Sequence, residues 1–235
     1  MSHARFTNRQ EAGRLLGEHL RASAAQADRI VLGLPRGGVP VAFEVAQALE
    51  VPLDVLLVRK LGLPGHEELA MGAVTGDGHM LLQADVVDRL HVPMALIESV
   101  AQAELARIRQ REKLYRDGRP PADLHAREVI LVDDGLATGS TMLAAIHAVR
   151  QSQPARIVVA VPVGAVDTCR ALAEECDALV CLRSPEPFYA VGVWYRHFDQ
   201  VSDAEVQELL AQVNLSESNL PSHRRAQRRS MPPAH

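Results

Sequence analysis

The chain has 235 residues, enough to bury one substantial core, and its 47% hydrophobic and 23% charged content is that of an ordinary globular protein. No run of about eighteen apolar residues is present, and the start M-S-H-A-R-F-T-N-R lacks an apolar leader core, so a cytoplasmic protein without a membrane span is expected. A net charge of −4 gives no electrostatic case for nucleic acid as a partner. Three cysteines, Cys169, Cys176 and Cys181, are odd in number and lack C-x-x-C spacing; they read as small buried hydrophobes in a reducing compartment. Ten histidines are scattered without the spacing of a metal site.

Hydrophobic periods alternate along the chain. Residues 8–25 have the spacing of an amphipathic helix, 29–34 form a strand, and 39–49 a helix with Pro40 near its start. Residues 54–58 are a second strand. A stretch rich in glycine at 62–78 reads as loop and 80–82 as a short strand, giving a flap over about 62–82. A long helix over 93–115 ends at the breaker run D-G-R-P-P. Strands follow at 129–132, 156–162 and 178–182, with helices from Thr141, over 166–175 and over 203–213. An aromatic segment spans about 184–200. From Asn214 onward four Arg and one Glu give +3 and leave −7 for the rest, and no apolar period remains, so 214–235 reads as a disordered basic tail. Its R-R-A-Q-R-R could touch RNA or a membrane surface; a solvated tail is the plainer reading. The alternation predicts an α/β fold, a doubly wound and mostly parallel sheet flanked by helices in one domain over 1–213. Ligands then lie at the carboxyl edge of the strands.

The run V-I-L-V-D-D-G-L-A-T-G-S-T-M, from Val129 to Met142, carries the chemistry. An apolar strand delivers two carboxylates, Asp133 and Asp134, to that edge. A turn of small polar residues leads into a helix whose first N–H groups and dipole favour an anion. Thr138, Ser140 and Thr141 add hydroxyls, and Gly139 permits close backbone approach. Acids beside a phosphate cradle make sense if the ligand also presents a vicinal diol, whose hydroxyls donate to carboxylates. The implied ligand is a ribose 5-phosphate unit; the plain alternative is a strand-to-helix turn with an acidic cap.

Two other strand ends fall on the same edge. In L-G-L-P-R-G-G-V-P, Gly37 and Gly38 follow Arg36 and can expose backbone N–H groups to an anion. In L-L-V-R-K-L-G, Arg59 and Lys60 stand at the end of the next strand. Each alone could be a plain turn or a solvated cation; together with the acid run they converge on a polyanion. The flap contributes His66, Glu67 and Glu68, with a hairpin bearing surface charges as the alternative. Five of the eight aromatic residues lie between Phe188 and Phe198. That cluster suits either a flat ligand stacked on Trp194 or Tyr195, or a plug over an open end of the sheet.

The acid run resembles the signature of type I phosphoribosyltransferases: four hydrophobic residues, two acids, a few variable positions, then T-G-x-T. The likeness covers most of the chain and implies transfer of a 5-phosphoribosyl group from phosphoribosyl pyrophosphate to a nitrogen nucleophile, with pyrophosphate released. It implies Mg²⁺ as cofactor, bound through substrate and water near Asp133 and Asp134 without a dedicated protein cage, and a place in nucleotide metabolism. By the same resemblance, Asp133, Asp134, Ala137, Thr138, Gly139, Ser140 and Thr141 hold ribose 5-phosphate. Arg36, Gly37 and Gly38 hold pyrophosphate in a loop that in the family often contains a non-proline cis peptide, and Arg59 and Lys60 hold it from the next strand end. Asp133, Asp134, Lys60 and Glu67 are the implied catalytic residues, and Trp194 and Tyr195 the acceptor wall. One departure matters: Ala137 stands where hypoxanthine–guanine enzymes place an Asp that serves the purine, so the acceptor is not assigned. A sensor of phosphoribosyl pyrophosphate or of a nucleotide, with little turnover, is the competing class. Homodimer formation is left open.

Overall fold

The computed structural model describes residues 5–22 and 28–218, with backbone alone for 67, 68 and 214–218. Five strands form one parallel sheet: β1 (Arg29–Gly33), β2 (Leu53–Val55), β6 (Glu128–Val132), β7 (Arg156–Val163) and β8 (Ala178–Arg183). Their order is β2-β1-β6-β7-β8. The central strands β1, β6 and β7 are apolar after their first residue because both faces are covered. Along β1, β6 and β7, side chains alternate between two cores. Val31, Ile130, Val132, Val158 and Ala160 meet α1 (Arg9–Ala22), α2 (Gly38–Leu49), α4 (Met94–Arg116) and α7 (Asp203–Ser218). Ile30, Leu32, Val129, Leu131, Ile157 and Val159 meet α5 (Ser140–Gln151) and α6 (Val166–Ala173). Helices on both faces make the sheet doubly wound, as the alternation predicts.

Between β2 and α4 the structure differs from the expected loop. A three-stranded antiparallel sheet is built from β3 (Val58–Leu63), β4 (His66–Thr75) and β5 (Met80–Leu82), followed by the short helix α3 (Ala84–Arg89). Glycines at 62, 65, 72, 76 and 78 hide the pattern, but Leu61, Met71 and Val74 are fully buried and give the sheet an apolar face. That face packs on α4, and β3 and β4 also meet α5, so the stretch has the form of a hairpin sheet. Residues 23–25 of the first predicted helix lie outside the described residues. The last helix runs to Ser218, past the expected tail boundary at 214, and 219–235 lie outside the description. Among the described residues no helix is long and apolar enough to cross a membrane.

Candidate active site

The strand order reverses between β1 and β6: chain connection runs outward to β2 on one side and to β7 and β8 on the other. Open α/β sheets bind ligands at such a switch point, outside the carboxyl ends of the strands. Two segments leave the sheet there, the R-G-G turn after β1 and the acid pair after β6. They touch. Leu34 N–H donates to the Val132 carbonyl at 2.9 Å, carrying the ladder past the end of β1. A Cβ at Gly38 would lie 2.7 Å from the Val132 oxygen and 3.0 Å from Asp133 Oδ1; one at Gly37 would lie 2.1 Å from Asp134 Oδ2. Gly37 has φ −62° and ψ −33°, which any residue adopts. The glycine pair is therefore needed for close approach to the acids, not for unusual backbone angles. The peptide between Pro35 and Arg36 is cis, and the Arg36 side chain is partly exposed.

The acids are partly buried. Asp134 N–H donates to Asp133 Oδ1 at 2.8 Å, and Arg9 Nε donates to Asp134 Oδ2 at 2.8 Å. Burial, then the neighbouring Asp134 charge, pushes the Asp133 carboxyl well above the usual range. Burial also raises Asp134, and the Arg9 cation opposes it. The site thus favours a cation or hydrogen-bond donors facing the pair.

Beyond the acids, Leu136 is anchored to the end of β7: its N–H donates to Val163 O, and Ala165 N–H donates to Leu136 O, both at 2.9 Å. Thr168 Oγ1 of α6 donates to the Ala137 carbonyl at 2.6 Å. Gly139 takes φ 73° as the residue preceding α5, a left-handed angle that side chains resist. Having no side chain, it leaves the first N–H groups of α5 uncapped and open to an anion. Thr138 and Ala137 are exposed, with Ser140 and Thr141 partly so, and Thr138 Oγ1 lies 3.3 Å from Ser140 Oγ. Asp133, Asp134, the T-G-S-T turn and R-G-G are accordingly gathered at one sheet edge.

Other predicted residues are placed differently. Arg59 and Lys60 are not at the end of a core strand: β2 stops at Val55, and both lie in β3 of the small sheet. Arg59 Nε pairs with Glu104 Oε2 of α4 at 2.8 Å, with its side chain 38% exposed; Lys60 is exposed. His66 is exposed, while the Glu67 and Glu68 side chains lie outside the description. Tyr195 is no ligand platform. Its ring is 3% exposed, lies 5.5 Å from the Phe6 ring and 5.0 Å from the Phe198 ring, and its hydroxyl donates to the Asp134 carbonyl at 2.6 Å. Packed between neighbouring rings, it plugs the sheet end and holds the Asp134 backbone. Trp194 is partly buried against the same cluster. Tyr189 is 78% exposed, two residues before Val191, whose methyl carbons fill the space a Cβ on Gly135 would need.

Two residues were missed by the sequence reading. Tyr189 belongs to the aromatic cluster but carries no local mark separating it from its neighbours. Arg9 lies 125 positions from Asp134, yet it falls on the buried stripe of α1 with Ala12, Gly13, Leu16, Gly17 and Leu20. A cation on an apolar stripe is the signal that could have found it.

Comparison with known proteins shows the family. The model of the phosphoribosyl transferase domain matches residues 6–183. Proteins named "Putative phosphoribosyl transferase" in two strains of Mycobacterium tuberculosis are 45% identical over 205 residues. The match takes in 87% of this chain and 46% of theirs, so the chain spans about half the length of the curated relatives it matches. The crystal structure of the protein TT1426 from Thermus thermophilus superposes with a TM-score of 0.78 at 42% identity, over 88% of this chain and 98% of that one. By the extent of the family match and the identity to these relatives, the chain belongs to the phosphoribosyl transferase family.

Proposed function

We propose that the protein transfers the 5-phosphoribosyl group from phosphoribosyl pyrophosphate to a nitrogen nucleophile and releases pyrophosphate. The observation that carries this reading is the meeting of the R-G-G turn with Asp133 and Asp134 at the sheet's switch point. There the uncapped N-terminus of α5 receives the 5-phosphate, the acid pair faces the ribose hydroxyls, and the R-G-G turn faces the leaving group. Positioning and electrostatic stabilisation supply the rate enhancement as charge builds on pyrophosphate. Arg36 is the cation of that turn, and Lys60 adds a second only when the small sheet brings it inward.

Two carboxylates are hard oxygen donors of the kind Mg²⁺ takes, and among the described residues no cluster of three or more potential metal ligands completes a shell. Asp133 and Asp134 would hold Mg²⁺ there through substrate and water, and the ion would supply charge neutralisation. For the acceptor, Trp194 and the exposed Tyr189 are the ring candidates, with Tyr195 removed from that role. The test is pyrophosphate release from phosphoribosyl pyrophosphate and Mg²⁺ across a panel of nucleobases and amines. Release with one acceptor class supports the proposal; tight donor binding without release with any acceptor points instead to a sensor.

A further inference from the structure

A guanidinium on an apolar helix stripe is stable only when its donors are met. Arg9, at the first position of α1, has a side chain 11% exposed and meets three parts of the molecule. Its Nε donates to Asp134 Oδ2 at 2.8 Å and its Nη1 to the Asp199 carbonyl at 2.7 Å, while the guanidinium carbon lies 3.8 Å from the Phe198 ring centroid. Its Nη2 is 3.4 Å from the point where a Gly37 Cβ would sit, so it also borders the R-G-G turn. The segment before it is tied down too: Phe6 N–H donates to Trp194 O, Arg196 N–H to Phe6 O and His197 N–H to Thr7 O. Asp134 is thereby gripped from Arg9 in front and from Tyr195 behind. Asp133 is treated otherwise. Its Oδ1 accepts the Asp134 N–H, and among the described residues no cation forms a salt bridge with it.

We propose that Arg9 is a positioning residue of the donor site: it clamps Asp134 against the R-G-G turn and leaves Asp133 as the carboxylate that accepts the ribose hydroxyls. This rests on the donor-site reading above. The two neighbouring acids then have unequal work, one as anchor and one as ligand. Ligands that carry a ribose should feel the loss of Arg9 strongly, while pyrophosphate, which has none and meets only the R-G-G turn, should feel it little.

The test is calorimetric titration of the full chain with ribose 5-phosphate, pyrophosphate and phosphoribosyl pyrophosphate, each with Mg²⁺. Arg9→Gln is expected to weaken the two ribose ligands about tenfold, as for one lost charge-assisted bond, and to leave pyrophosphate within about twofold. Arg9→Lys, which keeps the charge, should recover most of the loss. Parallel losses for all three ligands, or no loss for any, overturn the inference. Should both Arg9 variants fail to fold by circular dichroism, Asp133→Asn and Asp134→Asn decide. The inference requires the Asp133 variant to lose more ribose 5-phosphate affinity, and equal or reversed losses overturn it. Absence of phosphoribosyl pyrophosphate binding by the unaltered chain overturns the donor-site reading and the inference with it; intact binding with indifferent Arg9 variants overturns the inference alone.

Discussion

Gly37→Ala isolates the contact on which the site is built. A methyl at that position would sit 2.1 Å from Asp134 Oδ2 and 2.8 Å from its Cγ, so the carboxylate must retreat by about 1 Å to reach ordinary contact. The retreat breaks the 2.8 Å bond from Arg9 Nε to Asp134. Loss of one charge-assisted hydrogen bond costs about 1.5–3 kcal/mol, or about ten- to a hundredfold in affinity for a ligand whose site the carboxylate helps to hold in place. The backbone works the other way. Gly37 is in the right-handed helical region, where alanine stabilises by about 0.4–1 kcal/mol through the unfolded chain. The net expectation is a modest fall in melting temperature with a large fall in affinity for phosphoribosyl pyrophosphate, measured by scanning calorimetry and by titration with Mg²⁺. A variant that melts higher and binds the donor as the unaltered chain does would refute close packing of the R-G-G turn on the acid pair.

Further expectations follow from single contacts. Tyr195→Phe keeps the ring between Phe6 and Phe198 but removes the bond to the Asp134 carbonyl, so stability should drop by about 0.5–1.5 kcal/mol in urea unfolding, and an unchanged midpoint would contradict the contact. Arg59→Ala breaks a pair with Glu104 in which Arg59 is 38% exposed; it should leave pyrophosphate affinity unchanged, whereas Lys60→Ala should weaken it, and the reverse result would restore Arg59 as the ligand. Hydrogen bonding to Cys169, against the opposing effect of burial, brings the Cys181 thiol down to about 7, while burial raises Cys176. Thiolate is the reactive form, so alkylation followed by mass spectrometry should label Cys181 first, at a rate climbing through about pH 7; Cys176 labelled first would refute it.

The parallel sheet was legible because β1, β6 and β7 are apolar runs bounded by turns, a pattern that burial on both faces imposes. The acid run was legible because strand, carboxylates and turn are contiguous in the chain. The small sheet was not: five glycines interrupt its alternation, and its apolar face is defined by contact with α4, which local spacing does not report. Extending β2 to residue 58 joined two sheets in one strand, whereas Arg59 and Lys60 lie in β3 of the small sheet. The aromatic cluster was read for its composition, but the division of labour within it depends on Phe6, nearly two hundred residues away in sequence. Arg9 was lost for the same reason, since its role comes from Asp134 and Asp199 and not from its neighbours in α1.

The central claim is that Asp133 and Asp134 face the ribose of a phosphoribosyl donor. Its most direct measurement is calorimetric titration of phosphoribosyl pyrophosphate with Mg²⁺ into the unaltered chain and into Asp133→Asn/Asp134→Asn, with circular dichroism to establish that both are folded. The account predicts saturable binding by the first and loss of most of that affinity in the second, at least about 1.5–3 kcal/mol. Equal affinity in the two proteins would contradict it.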